Sequence, residues 1–73
     1  MIWELLEAFT NRENAIQLKG ILIEAGIDAF IETKMVRTSL GTGGTALIKR
    51  THLFVKRQQY DEAVRVQIAW GLY

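Results

Sequence analysis

The stretch from Thr10 to Gly26 constrains this chain most, because it reads as an amphipathic helix that carries both of its own ends. Thr10 followed three residues later by Glu13 has the pattern of a capping box. The hydroxyl accepts one orphan backbone N–H and the carboxylate reaches back to another. Gly26 supplies the left-handed conformation that ends a helix, and Ile27 beyond it can close the hydrophobic contact of that motif. Between these ends Ala15, Leu18, Leu22 and Ala25 share one face, which Ile21 widens. Gly20 costs roughly 1 kcal/mol against Ala in a helix interior, so it is read as marking a close packing contact. A helix with a single apolar stripe has to be covered, and a sheet is the natural cover.

The 73 residues make one domain, residues 1–73. A domain of this size buries only about 60% of the surface that its unfolded chain exposes, so its margin is thin. There is no cysteine, which excludes disulfide staples and zinc–thiolate sites. The single histidine cannot build a typical metal centre, and no cofactor is expected. Hydrophobic residues reach 49%, enough for a core. With neither staple nor metal, self-association is an expected extra source of stability. The N-terminus lacks a basic region followed by an apolar run. No apolar run approaches the roughly 20 residues needed to span a bilayer. The expectation is a cytosolic protein that does not engage membranes.

Residues 2–9 fit a helix by propensity and a strand by pattern; they are read as a strand, with Trp3, Leu5 and Phe9 on one face and Ile2, Leu6 and Ala8 on the other, because the helix that follows at once needs a sheet. Ile27 to Lys34 reads as a second strand, with Phe30 opposite to Ala29 and Ile31. His52 to Lys56 reads as a third, with Leu53 and Val55 on one side and Phe54 on the other. Between these two lies Gly41-Thr42-Gly43-Gly44, whose glycines supply the positive φ angles of a tight turn. Residues 28–57 are therefore read as one long β-hairpin, or a strand pair with a protruding, partly ordered loop. Fully paired, its arms are about 13 residues and roughly 40 Å long, further than a small core supports. Leu47-Ile48 is too apolar for a free loop and implies a contact. A last helix starts near Gln59 or Tyr60, with Asp61 and Glu62 suiting its N-terminal dipole. Its apolar stripe is Ala63, Val66, Ala69 and Trp70, with Val64 and Ile68 beside it and Gly71 as its stop. Trp3 and Trp70 are both read as core anchors; exposed, they would mark an association surface.

Glu7-Ala8-Phe9, Ala15 through Leu22, Gly26 through Phe30, and Val55 with Tyr60 through Ala63 resemble a small bacterial family. That family is known only as prokaryotic signal-transducing proteins, a domain of unknown function. Its members look like short relatives of the nitrogen-regulatory PII proteins, with a ferredoxin-like βαββαβ arrangement. The resemblance implies an α+β fold: a ferredoxin-like, PII-like βαββα sandwich with an antiparallel sheet, two helices on one face and a long hairpin. A standard fourth strand has no room after the second helix. The family brings no catalytic residues. In PII proteins a long loop between the second and third strands contacts partners, and nucleotides bind at clefts of a trimer. The glycine-tipped segment here occupies the corresponding place.

Charge sharpens that comparison. From Thr33 to Tyr60 the charged residues are Lys34, Arg37, Lys49, Arg50, Lys56 and Arg57, with no acid among them; all eight acids lie outside. Two readings of this basic middle stand. Positive charge keeps an exposed strand edge soluble. Alternatively Lys34, Arg37, Lys49, Arg50, Lys56 and Arg57, with Gly41, Gly43 and Gly44 at the tip, bind a small anion such as a nucleotide or a phosphorylated metabolite. Gly41 to Ala46 formally matches G-x-G-x-x-A, but the following Leu47-Ile48-Lys49-Arg50 is patterned as strand, where a dinucleotide fingerprint requires a helix. An RNA-recognition sheet requires a basic residue, glycines and three aromatics on its third strand. Arg50 to Arg57 keeps only Arg50, Phe54 and Val55, so nucleic acid is not the expected partner. His52 has no second ligand or nucleophile by motif, and Glu4, Glu7, Asp28 and Glu32 show no spacing for acid–base work. The sequence thus points to a non-enzymatic regulatory or protein-interaction module that forms homo-oligomers. The hairpin would be its binding surface toward a protein partner or a small anionic ligand.

Overall fold

The structure, a computed structural model, describes residues 2–71. In chain order these form β1 (Trp3–Phe9), α1 (Arg12–Glu24), β2 (Ala29–Leu40), β3 (Gly44–Lys56), a 3-10 turn (Arg57–Gln59) and α2 (Tyr60–Gly71). The strands make an antiparallel sheet in the order β1-β3-β2. The molecule is α+β, with three strands and two helices among the described residues.

Helix α1 ends as its sequence implies and begins one residue later than expected. Gly26 has φ 84°. The N–H of Ile27 donates to the carbonyl of Leu22 at 2.9 Å, and that of Gly26 to Ile23 at 3.0 Å, the paired bonds of a Schellman cap. Ile27 then turns into the core beside Leu22. At the other end Asn11, not Thr10, is the cap: its Oδ1 accepts the N–H of Glu13 at 2.9 Å. A short amide side chain at Asn11 reaches the N2 donor directly, so the Thr10–Glu13 box is not formed. Ala15, Leu18 and Leu22 are fully buried, whereas Ala25 falls at the C-cap and is exposed. Gly20 marks no close contact, since a Cβ built there meets nothing within 4 Å.

Strand β1 departs from strict alternation. Trp3, Glu4 and Leu5 pair with Lys56, Val55 and Phe54; the register then shifts between Leu5 and Glu7, which pairs with Leu53. The bulge swaps faces midway. Trp3 and Leu5 lie on one side of the sheet, Glu7 and Phe9 on the other, and Leu6 is buried at the irregularity. The expected grouping of Trp3, Leu5 and Phe9 on one face is therefore wrong.

The core lies between one face of the sheet and the two helices. Leu6, Leu18, Leu22, Ile27, Leu53, Val55 and Ala63 form it, with Phe9, Ile31, Tyr60, Val64, Val66 and Trp70 packed around. Leu18 and Leu22 of α1 and Ala63 of α2 belong to one buried cluster with Leu53 and Val55 of β3, so both helices cover the same face. Ala69 and Ile68, expected on or beside the α2 stripe, are exposed. Thr51 is the buried polar residue; its hydroxyl lies 3.4 Å from that of its cross-strand partner Thr33. Gln59 latches the end of the sheet to the α1–β2 connection. Its amide nitrogen donates to the Gly26 carbonyl at 3.2 Å and its oxygen accepts the Asp28 N–H at 3.0 Å. No helix among the described residues is long and apolar enough to cross a membrane.

The hairpin is regular along its whole length. Pairing runs unbroken from Ala29–Val55 to Leu40–Gly44. Residues 35–40 and 44–51 are therefore paired strand rather than a loose loop, with 41–43 as the turn. The turn closes with the Gly43 N–H donating to Leu40 at 3.2 Å, and only Gly43 of the three tip glycines uses a positive φ, 88°. A three-residue connection ending in a left-handed glycine is a common hairpin closure.

Candidate interaction surface

Alternation along β2 and β3 sorts the hairpin into two faces. Ala29, Ile31 and Thr33 of β2, with Thr51, Leu53 and Val55 of β3, point toward the helices. Phe30, Glu32, Lys34 and Val36, with Ile48, Arg50, His52 and Phe54, point the other way, onto a face no helix covers. Trp3 and Leu5 join that open face from β1.

At one end of the open face the aromatic rings meet. Phe30 and Phe54 stack with centroids 5.0 Å apart and planes 16° from parallel. Trp3 leans over β3 to meet Phe30 edge-on at 4.8 Å, and His52 stands against Phe54 at 6.2 Å. Trp3 keeps 37% of its surface exposed here. It is thus no anchor of the helix-covered core; Trp70 packs there instead. The next rung is charged: Glu32 opposite His52, then Lys34 opposite Arg50. Beyond it the face turns apolar again with Val36 opposite Ile48, and Leu40 near the tip.

The outer half of the hairpin has no helix beneath it. Leu47 keeps 59% and Met35 54% of their surface exposed. The radius of gyration is 14.0 Å, against roughly 11 Å for a compact chain of this length. The molecule measures 44 × 32 × 17 Å. The extra length is the arm.

The nine residues proposed from sequence for an anion site do not converge. Lys34 and Arg50 are direct cross-strand neighbours on the open face. Lys56 shares that face, but it is six residues from Arg50, roughly 20 Å at strand spacing, and it pairs with Asp28. Arg57 follows in the 3-10 turn, 3.3 Å from Glu4. Arg37 and Lys49 lie on the opposite face of the arm. Gly41 and Gly43 form the turn, and Gly44 opens β3 six residues from Arg50. Lys34 already has Glu32 at 3.4 Å. Each of these ion pairs has at least one solvent-exposed partner and contributes at most about 1 kcal/mol. Among the described residues there is no pocket and no group of three potential metal ligands. Sequence reasoning read Glu32 as part of a solvated face and Leu47-Ile48 as a contact, and overlooked Phe30 and Val36 as residues of the same surface. The signal was present: at every second position from 30 to 36 and 48 to 54 they share a face with Lys34 and Arg50.

No family model, no curated protein and no solved structure matches this chain.

Proposed function

We propose that this chain is a non-enzymatic regulatory module for protein interaction that self-associates, with the β2–β3 hairpin as its binding surface. One observation carries this reading: a fully paired arm extends beyond the helices with Met35, Leu40 and Leu47 exposed. Apolar side chains on a projecting two-stranded ribbon gain nothing for the monomer. They are worth roughly 25 cal/mol per Å² once a partner covers them. The strand–helix–strand–strand–helix order and the antiparallel sheet support a ferredoxin-like, PII-like fold. The long arm built from the second and third strands supports kinship with the prokaryotic signal-transducing family, and the setting that goes with this reading is cytosolic. Sedimentation velocity at micromolar concentration tests the proposal. An oligomer is expected; a monomer throughout removes self-association.

A second reading is favoured by the Lys34–Arg50 pair. Like charges placed directly opposite destabilise a strand pair, and a bound anion relieves them. A thermal-shift screen against nucleotides and phosphorylated metabolites at low and moderate salt tests it. A ligand at 100 times its dissociation constant stabilises by about 2.7 kcal/mol, a shift of many degrees for a domain this small. Replacing Lys34 and Arg50 by Ala should abolish that shift if the arm holds the ligand, whereas Lys49→Ala, on the other face, should leave it.

A further inference from the structure

The open sheet face repeats its chemistry about its own middle. One end is apolar, with Phe30 and Phe54; the other is apolar, with Val36 and Ile48. The rungs between them are charged: Glu32 opposite His52, then Lys34 opposite Arg50. The midpoint falls level with Thr33 and Thr51, whose side chains point to the helices. A closed dimer uses the same patch on both subunits, so it requires a patch complementary to itself under a two-fold rotation.

From this pattern we infer that a second copy of the chain packs face to face on the open side of the sheet, about a two-fold axis crossing the strands at Thr33 and Thr51. This rests on the self-association proposed above and names its surface. The rotation lays β2 over β2 of the other copy and reverses its direction. Phe30 then covers Val36 of the second copy, and Phe54 covers Ile48. Glu32 meets Lys34, and the His52 ring meets the Arg50 guanidinium, which stacks on flat rings. Each contact occurs twice. An axis along β3 instead would set Arg50 on Arg50 in a desolvated interface, where like charges cost several kcal/mol. Charge therefore selects the crossing axis.

Eleven residues of β2 and β3 cover roughly 36 by 10 Å on each copy, about 700 Å² for the pair in projection, because β1 ends level with Thr51 and meets no strand of the other copy. Side-chain relief brings this to the lower edge of what a specific interface buries, so a weak, micromolar dimer is expected. Each arm comes to rest on the aromatic end of the other copy, which covers Val36 and Ile48; Leu40 lies past the overlap, and Met35 and Leu47 lie on the reverse face of the arm. The product is a four-layer sandwich with the helices outside and sheets about 10 Å apart.

Charge exchange tests the register. Glu32 and Lys34 are exposed, so Glu32→Lys and Lys34→Glu leave the fold intact, which circular dichroism verifies. In sedimentation equilibrium of the full chain, each single variant should raise the dimer dissociation constant at least roughly tenfold, because each creates two like-charge contacts. The double variant E32K/K34E restores opposite charges and should recover most of the affinity. A dimer indifferent to all three variants overturns this interface and leaves self-association standing. A wild-type monomer overturns both. A single-stranded oligonucleotide that binds the Phe30–Phe54 face while the dimer stays intact would free that face of the second copy and overturn the inference.

Discussion

Single residues decide where α1 starts, how stable it is and how the hairpin closes. Asn11 caps α1, so Asn11→Ala should cost about 1 kcal/mol while Thr10→Ala should be near neutral. Thermal denaturation of the two variants separates the observed cap from the capping box implied by Thr10 and Glu13. Gly20 sits in open space on the helix. Gly20→Ala should therefore stabilise by roughly 0.5–1 kcal/mol, raising the midpoint by about 4–8 °C per kcal/mol. Gly43 is different: nothing would collide with a Cβ there, but its φ of 88° lies in the left-handed region. Gly43→Ala should cost roughly 1–2 kcal/mol on conformational grounds alone. Gly41 has no positive φ, and its replacement should be tolerated. A denaturant titration of the two variants gives the comparison.

At the scale of elements, what the sequence made legible followed from local chemistry. The end of α1 was readable because Gly26 and Ile27 encode a Schellman cap within two residues. The pairing of β2 with β3 was readable from alternation and a glycine turn, but both a full hairpin and a protruding loop fitted the sequence, and only the unbroken pairing decides between them. The helix-facing and open sides of β3 also follow from alternation, which separates Leu53 and Val55 from Phe54. What escaped was non-local. The bulge between Leu5 and Glu7 is imposed by pairing with β3 and reverses the faces of β1, so the exposed placement of Trp3 was illegible from residues 2–9 alone. Gly20 misled because low helix propensity says nothing about what lies outside the helix. The basic segment read as one cluster because linear proximity hides the alternation that sends Arg37 and Lys49 to one face and Lys34 and Arg50 to the other. Packing of the core elements carries its own expectation. Leu53 is fully buried between both helices, so Leu53→Ala should cost about 2–5 kcal/mol. Total stability near 4–11 kcal/mol for a chain of this size makes that a large fraction. Chemical denaturation with a loss in midpoint at unchanged slope is the expected readout.

For the whole molecule, the shape poses the question that function must answer. The helices and the inner sheet form a compact unit held by Leu18, Leu22, Leu53 and Val55. The outer hairpin adds length without adding to that core, and neither helix buries Leu47 or Met35. An arm that contributes nothing to the monomer's core is the basis on which we propose a role between molecules. Replacing Met35 through Lys49 by an Asn-Gly turn, which suits a two-residue hairpin, separates the two roles. The shortened chain and the full chain would be compared by sedimentation equilibrium over roughly 1–100 µM, a range that brackets micromolar dissociation constants, with circular dichroism confirming the fold. The account predicts that the full chain self-associates and that the shortened chain is a folded monomer. A full chain that stays monomeric, or a shortened chain that still associates as tightly, would contradict it.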